Sequence, residues 1–182
     1  ADMALHITTN ASGLAPDCIL VNVTVRSMKM HGLGMVGLPN GKEALDEENV
    51  EMVRHGASAN LSRHIENMSR FGPDVIVSIN RFPTDSEAEI SAIMEIAKHA
   101  GAADVALYEG HAKGGEGAVE LANSVSKAVQ RHMAAGRPFN PLFEGNAPVI
   151  EKIEKIATTM YGSSGISVKP RAKKQLDKIN EW

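Results

Sequence analysis

The fold is decided by the segment Val75-Ile76-Val77-Ser78-Ile79-Asn80-Arg81-Phe82-Pro83-Thr84-Asp85. Its first half is a run of apolar and β-branched residues, which predicts a strand over 74–79 that is buried on both faces. Its second half changes abruptly to a turn that carries polar groups and one aromatic residue, Phe82. The segment therefore predicts a core strand followed by a loop that carries polar side chains and an aromatic ring.

Two further apolar runs predict strands at 18–25 and 104–108, and helical patterns separate the three strands. The order β-α-β-α-β-α predicts an α/β fold, a parallel sheet with crossover helices. Two prolines within residues 137–141 indicate a linker. Beyond the linker, a helix at 149–161, a short strand at 166–168 and a helix at 170–179 predict part of a small α+β domain.

Local signals place the helices that connect the strands. Asp46 is a candidate cap for a helix over 47–55, and Thr84 with Glu87 forms a candidate capping box. The glycine-rich stretch 26–41 is predicted to be a long loop. The remaining helices are predicted at 61–71, from Thr84 to Gly101, and at 117–133.

Composition limits the classes of function. Of 182 residues, 43% are hydrophobic and 23% are charged, as is typical of a soluble globular protein. A formal net charge of -3 argues against a nucleic-acid partner. A single cysteine, Cys18, rules out an intrachain disulfide and fits a reducing compartment. Neither a membrane span nor a signal peptide is evident, so a cytoplasmic location and no membrane partner are expected.

The seven histidines show no metal-ligand spacing, so we predict no metal site, and no residue is identified as catalytic. Polar loops nevertheless follow both the second and the third predicted strands. Because ligands of open α/β sheets bind outside the carboxyl ends of the strands, these loops predict a binding crevice. A planar ligand could stack on Phe82; the alternative is that this ring folds back over the end of the sheet.

Two stretches are candidates for contact with an anion. Lys113, Gly114 and Gly115 lie where successive backbone N–H groups could form an anion-binding nest, and the alternative is a flexible glycine-rich loop. Arg26 and His31 follow the first strand, with Lys29 between them, and could face a phosphate; the alternative is a solvated loop. No GxxxxGK[ST] phosphate-binding motif occurs in the chain.

Several strings, taken together, resemble formate–tetrahydrofolate ligase, also called formyltetrahydrofolate synthetase. They occur in the family's order along essentially the whole chain. The matching strings are Thr24-Val25-Arg26-Ser27-Met28-Lys29-Met30-His31-Gly32, Asn67 with Phe71-Gly72, Ile79-Asn80-Arg81-Phe82-Pro83-Thr84-Asp85, Ala112-Lys113-Gly114-Gly115-Glu116-Gly117, and Ile150-Glu151-Lys152-Ile153 with Tyr161-Gly162.

The resemblance implies a ligase that joins formate to tetrahydrofolate with MgATP through formyl phosphate, in a protein that is commonly a homotetramer. It implies that this chain covers roughly the central third of a family member, without the P-loop. The implied parts are the end of the nucleotide domain at 1–72, a folate-side domain at 73–137 and a partial third domain at 138–182. Such a piece is expected to be inactive alone.

The resemblance also implies the folate-binding residues. Family members stack the pteridine between two aromatic side chains, and the first of these maps to Phe82, with Leu107 as a further contact. The second is a Trp in the family, but His111 occupies this position here. Imidazole is a smaller platform than indole and can gain a charge near neutral pH. A pterin-binding module without chemistry, or a truncated relative that serves assembly, are the alternative functions.

Overall fold

The computed structural model describes residues 4–33 and 45–180. The strands are β1 (Cys18–Val23), β2 (Asp74–Asn80) and β3 (Asp104–Tyr108). The helices, in chain order, are α1 (Thr9–Ser12), α2 (Val25–Gly32), α3 (Val50–Gly56), α4 (Ser62–Ser69), α5 (Glu87–His99), α6 (Gly110–Lys113), α7 (Val119–Ala135), α8 (Val149–Thr159) and α9 (Pro170–Asn180).

The three strands form one parallel sheet in the order β1-β2-β3. The register pairs Cys18 with Asp74 across β1 and β2, and Asn80 with Tyr108 across β2 and β3. Residues 75–79 of the central strand are all buried, as the apolar run predicted. The predicted α/β fold with a parallel sheet and crossover helices is therefore confirmed.

The crossovers between strands are helical. The chain reaches β2 from β1 through α2, α3 and α4, and it reaches β3 from β2 through α5. α4 packs against β1, β2 and α5, whereas α7, which follows β3, packs against all three strands. This arrangement buries the central strand, whereas β1 keeps Leu20 and Asn22 exposed, and it leaves the carboxyl ends of the strands free to carry loops.

The structure corrects one local prediction in 26–41. Residues 25–32 form helix α2, and residues 34–41 lie outside the described residues. The helix begins with a capping box in which the Thr24 Oγ accepts a hydrogen bond from the Ser27 N–H (3.0 Å) and the Ser27 Oγ accepts one from the Thr24 N–H (3.2 Å). The glycines of 26–41 indicate a loop, but the capping box stabilises a helix over the first part of this stretch.

Both predicted caps of the neighbouring helices are also wrong by a few residues. Asn49, and not Asp46, caps α3, because its Oδ1 accepts a hydrogen bond from the Met52 N–H at 2.9 Å. Ser86, and not Thr84, caps α5 in a capping box with Glu89. Shifting the box by two residues turns the Glu89 side chain inward, where it is fully buried.

A buried ion pair joins α2 to α5. The Lys29 Nζ lies 2.7 Å from the Glu89 Oε1, and the two side chains are 1% and 0% exposed. Lys29 also donates hydrogen bonds to the carbonyl oxygens of Leu45 (3.0 Å) and Glu47 (2.8 Å), and the Glu89 Oε1 accepts one from the Asn49 N–H (2.7 Å). Each buried charge is therefore compensated by several polar partners.

Two arginine side chains, one in the last part of α7 and one just after it, contact the amino end of β2. The Asp74 carboxylate accepts hydrogen bonds from Arg131 (2.9 Å) and Arg137 (2.6 Å). Burial raises the pKa of Asp74, but these hydrogen bonds outweigh it, so the pKa of the carboxyl lies below its ordinary value. The contacts fix the end of α7 to the edge of the sheet opposite the loops.

The chain divides into two compact units, residues 16–138 and residues 1–15 with 139–182. The first unit ends next to the predicted border at 137–138. The other predicted border, at 72–73, falls inside this unit, between two strands that pair in one sheet. The assignment of 1–72, 73–137 and 138–182 to parts of a larger enzyme stays a prediction.

The second unit contains an apolar groove of about 600 Å³ between α8, α9 and the segment that precedes α9. The short strand predicted at 166–168 is wrong: these residues form no strand, and they line the groove. The His6 ring stacks on the Phe143 ring with centroids 4.9 Å apart. None of the predicted site residues belongs to this unit.

We predict that Glu89→Gln destabilises the protein by about 3–5 kcal/mol, because it leaves the Lys29 ammonium buried without its counter-charge. The matched control is Glu95→Gln on the same helix. Glu95 pairs with Arg54 at 2.7 Å, but both side chains are about half exposed, so its loss costs less than about 1 kcal/mol. Urea unfolding of the three proteins measures both values, and equal losses would contradict the role of the buried pair.

The pH dependence of stability provides a second prediction. Burial raises the pKa of Glu89, but hydrogen bonds from Lys29, Asn49 and Ser86 outweigh it and hold the pKa below its ordinary value of 4.5. The Glu89 contribution to stability is therefore complete above pH 4.5 and is lost as pH falls through the lower pKa of the folded state. The difference in unfolding free energy between wild type and Glu89→Gln should shrink in this acid range. A difference that stays constant to pH 3 would refute the assignment. Asp74 also contributes to the pH dependence of stability, but both proteins contain it, so its contribution cancels in the difference.

Candidate functional site

The candidate site lies at the carboxyl edge of the sheet, where three segments leave the strands. Because the strands are parallel and in register, Thr24, Arg81 and Glu109 all begin their connections at this edge. β2 is central, so its loop lies between the other two. The loops that follow β2 and β3 therefore leave the sheet side by side, because these two strands are hydrogen-bonded neighbours.

The loop after β2 presents Phe82, whose side chain remains 44% exposed. Residues 82–85 form a turn in which the Asp85 N–H donates to the Phe82 carbonyl oxygen at 3.0 Å. The Asp85 Oδ2 in turn accepts a hydrogen bond from the Phe82 N–H at 2.8 Å. Pro83 favours the first inner position of such a turn and restricts the residue before it to an extended backbone. The Phe82 backbone is therefore fixed by two hydrogen bonds to Asp85, and the residue stays exposed at this edge of the sheet.

Backbone hydrogen bonds join the two ends of the loop that follows β3. The Glu109 N–H donates to the Gly117 carbonyl oxygen (2.9 Å), and the Glu109 carbonyl oxygen accepts from the N–H groups of Ala112 (3.0 Å) and Lys113 (2.9 Å). A Cβ at position 117 would overlap the Glu109 backbone, so the closure requires glycine there. These bonds fix the short helix α6.

The folate-side residues predicted on this loop occupy different environments. His111 is exposed on α6, whereas Leu107 is half-buried within β3 and pairs in register with Ile79. The Arg81 N–H donates to the Tyr108 carbonyl oxygen at 3.0 Å and so links the Phe82 loop to the end of β3. Phe82 and His111 therefore lie on the connections that follow neighbouring strands, whereas Leu107 lies within β3, next to its carboxyl end.

The residues predicted to face an anion are more dispersed. Arg26 opens α2 and His31 lies in its last turn, beside β1, whereas Lys113, Gly114 and Gly115 follow β3. The central strand separates the two groups. A single anion site that uses all of them is not formed in the described residues.

Two of these cations have carboxylate partners. The Arg26 guanidinium bonds to Asp46 at 2.8 Å, and the Lys113 ammonium forms an ion pair with Glu109. The hydrogen bond from Lys113 holds the pKa of Glu109 below its ordinary value, and the charge on Arg81 acts in the same direction. An anion that binds at Lys113 would therefore compete with Glu109.

The pKa of Asp85, the residue that closes the Phe82 turn, is raised above its ordinary value. Burial raises the pKa of Asp85, although the Phe82 N–H opposes this change. The neighbouring Glu89 charge raises the pKa further, while Lys29 and Arg81 lower it. The Asp85 carboxylate is therefore part of a charged cluster that continues into the buried ion pair.

Sequence reasoning missed Asp85, Lys29 and Glu89 as parts of this cluster. A signal was present, because Ser86-Glu87-Ala88-Glu89 is a capping-box pattern that directly follows Asp85. It overlaps the pattern of Thr84 and Glu87, which predicts a cap that the structure does not form. For Lys29 no local signal exists, since its partners come from other parts of the chain.

The part of the chain that the structure describes contains no group of three or more His, Cys, Asp or Glu side chains that could hold a metal ion. None of the helices in that part is long and apolar enough to cross a bilayer.

The chain is similar to C-1-tetrahydrofolate synthases. It is 40% identical over 177 residues to "C-1-tetrahydrofolate synthase, mitochondrial" of Saccharomyces cerevisiae, covering 94% of this chain and 17% of that protein. It is 41% identical over 175 residues to "C-1-tetrahydrofolate synthase, cytoplasmic" of Schizosaccharomyces pombe, covering 94% of this chain and 18% of that protein. It is 37% identical over 179 residues to "Monofunctional C1-tetrahydrofolate synthase, mitochondrial" of Mus musculus, covering 97% and 18%.

The chain thus spans less than a fifth of the length of these relatives, which include mitochondrial and cytoplasmic forms. The family model for formate–tetrahydrofolate ligase matches residues 1–182. This chain belongs to the formate–tetrahydrofolate ligase family.

Proposed function

We propose that this chain supplies the folate-binding side of an ATP-dependent formate–tetrahydrofolate ligase, which makes 10-formyltetrahydrofolate through formyl phosphate. The observation that carries the proposal is the exposed Phe82 on a hydrogen-bonded turn at the carboxyl edge of a parallel sheet. Such an edge is where open α/β sheets bind ligands. An aromatic ring held in water there is suited to stacking with a flat heterocycle.

The tetrahydrofolate pterin would stack on Phe82, with the half-buried Leu107 as an apolar contact and His111 on the facing loop. Rigid placement lowers the barrier because the folate amine is oriented before it meets the activated formyl group. The contribution of these residues is therefore binding and orientation.

Among the residues that the structure describes, the side chains at this edge of the sheet do not form a magnesium or ATP site. The described residues include no metal-binding cluster, and Arg26 and Lys113 are already paired with carboxylates. We assign the phosphate chemistry to other parts of a larger enzyme, since the relatives are more than five times as long. A cytoplasmic location and homo-oligomeric assembly of the full-length protein belong to the same proposal.

Replacing Phe82 tests the folate site. We expect calorimetry to show saturable binding of tetrahydrofolate to the 182-residue chain, and Phe82→Ala to weaken it about tenfold, since lost stacking and apolar contact are worth about 1.4 kcal/mol. Met133→Ala is the matched control, because Met133 is 70% exposed but lies near the end of α7, at the opposite edge of the sheet. Equal affinity of Phe82→Ala and wild type would refute the site.

His111→Trp provides the complementary gain of function in the same titration. Indole offers a larger platform than imidazole, so this variant should bind tetrahydrofolate more tightly than wild type. Weaker binding by the Trp variant would exclude His111 from the face that meets the pterin.

We further predict that the chain alone forms no 10-formyltetrahydrofolate from ATP, formate and tetrahydrofolate, because it contains no phosphate-binding P-loop motif. A spectrophotometric assay of the formylated product measures this directly. A full-length relative assayed in parallel confirms that the conditions support turnover. If the purified chain forms product in a reaction that depends on ATP and formate, the assignment of the phosphate chemistry to other parts of a larger enzyme is wrong.

A further inference from the structure

The turn that carries Phe82 is closed by Asp85 on two sides. The Asp85 backbone N–H binds the Phe82 carbonyl oxygen (3.0 Å), and the Asp85 Oδ2 binds the Phe82 N–H (2.8 Å). Both polar groups of the Phe82 backbone are thus satisfied by one residue. No other residue in the described part of the chain is shown to hydrogen-bond the Phe82 backbone.

The residues on each side of the turn are anchored independently. Arg81 is tied to β3 through the Tyr108 carbonyl oxygen, and its guanidinium forms an ion pair with Glu87. Ser86 caps α5 together with Glu89, which is fixed in the core by Lys29. Between these anchors, the orientation of Phe82 depends on Pro83 and on the two hydrogen bonds to Asp85.

An exposed aromatic ring needs such a restraint. Phe82 would remove apolar surface from water by folding back over the end of the sheet, and this tendency opposes its exposed position. Two hydrogen bonds and the preference of a pre-proline residue for extended geometry fix the backbone at Phe82, and with it the direction of the Cα–Cβ bond and the rotamers open to the ring. The ring is pre-organised, so a stacking ligand does not have to order it on binding.

We propose that Asp85 is a positioning residue for Phe82, holding the aromatic ring in its exposed orientation as a platform for the pterin. This inference rests on the proposed function only for the identity of the ligand. Asp85 itself touches no ligand in this scheme; it acts through the Phe82 backbone.

The charges around Asp85 are consistent with this role. The half-buried carboxylate is opposed by Glu89 and supported by Lys29, by Arg81 and by the Phe82 N–H. Replacing Asp85 with Asn keeps an oxygen acceptor for the Phe82 N–H, whereas Ala removes it and Glu displaces it by one methylene. The three substitutions therefore separate the hydrogen bond from the charge.

The test measures the position of Phe82 without any ligand. The four phenylalanines are labelled with 4-fluorophenylalanine, and the fluorine resonance of Phe82 is assigned by its loss in Phe82→Leu. We expect Asp85→Ala and Asp85→Glu to shift and broaden this resonance, and Asp85→Asn to leave it close to wild type. Thr84→Ala, an exposed position in the same turn, is the control and should change nothing.

Titration with tetrahydrofolate completes the experiment. Asp85→Ala should weaken binding about tenfold, Asp85→Asn less than about threefold and Thr84→Ala not at all. An unchanged Phe82 resonance in both Asp85→Ala and Asp85→Glu would overturn the inference, whatever the affinities. A resonance that moves as expected, in a wild-type chain that binds no tetrahydrofolate, would support the positioning role and reject the folate assignment.

Discussion

The described structure of the first unit depends on the buried ion pair between Lys29 and Glu89. A charge in the protein interior is tolerated only when it is paired and hydrogen-bonded, so the pair dictates where its neighbours lie. Lys29 fixes the chain at Leu45 and Glu47, while Glu89 fixes the beginnings of α3 and α5. The segments that follow β1 and β2 are thereby locked to each other beneath the carboxyl edge of the sheet.

This constraint extends to the candidate site. Glu89 follows Asp85 by four residues, and its charge raises the pKa of the Asp85 carboxyl. The Phe82 turn is therefore built on the end of a helix whose first turn is anchored in the core. The helix that follows the Phe82 turn is thus anchored by a charge pair that is buried from solvent.

The sequence predicted those features whose causes are local. Continuous apolar runs identified β2 and β3, and the family strings identified the chain's relatives. Two overlapping capping-box patterns, at Thr84 and at Ser86, could not be ranked by a local rule, because the choice is made by Lys29 from a distant helix. Ile166 and Val168 alternate as in a strand, but they lie against α8 and α9 in the groove. The exposure of Phe82 and the self-closing of the 109–117 loop likewise depend on contacts that spacing does not reveal.

The parallel order of the strands has a consequence for how the chain acquires its fold. β1 pairs with residues about 56 positions later, whereas β2 and β3 are about 28 positions apart, so closing the first pair costs more chain entropy. Of the two pairings, β2 with β3 is therefore expected to form more readily, and the pairing of β1 with β2 is the slower step in the assembly of this sheet.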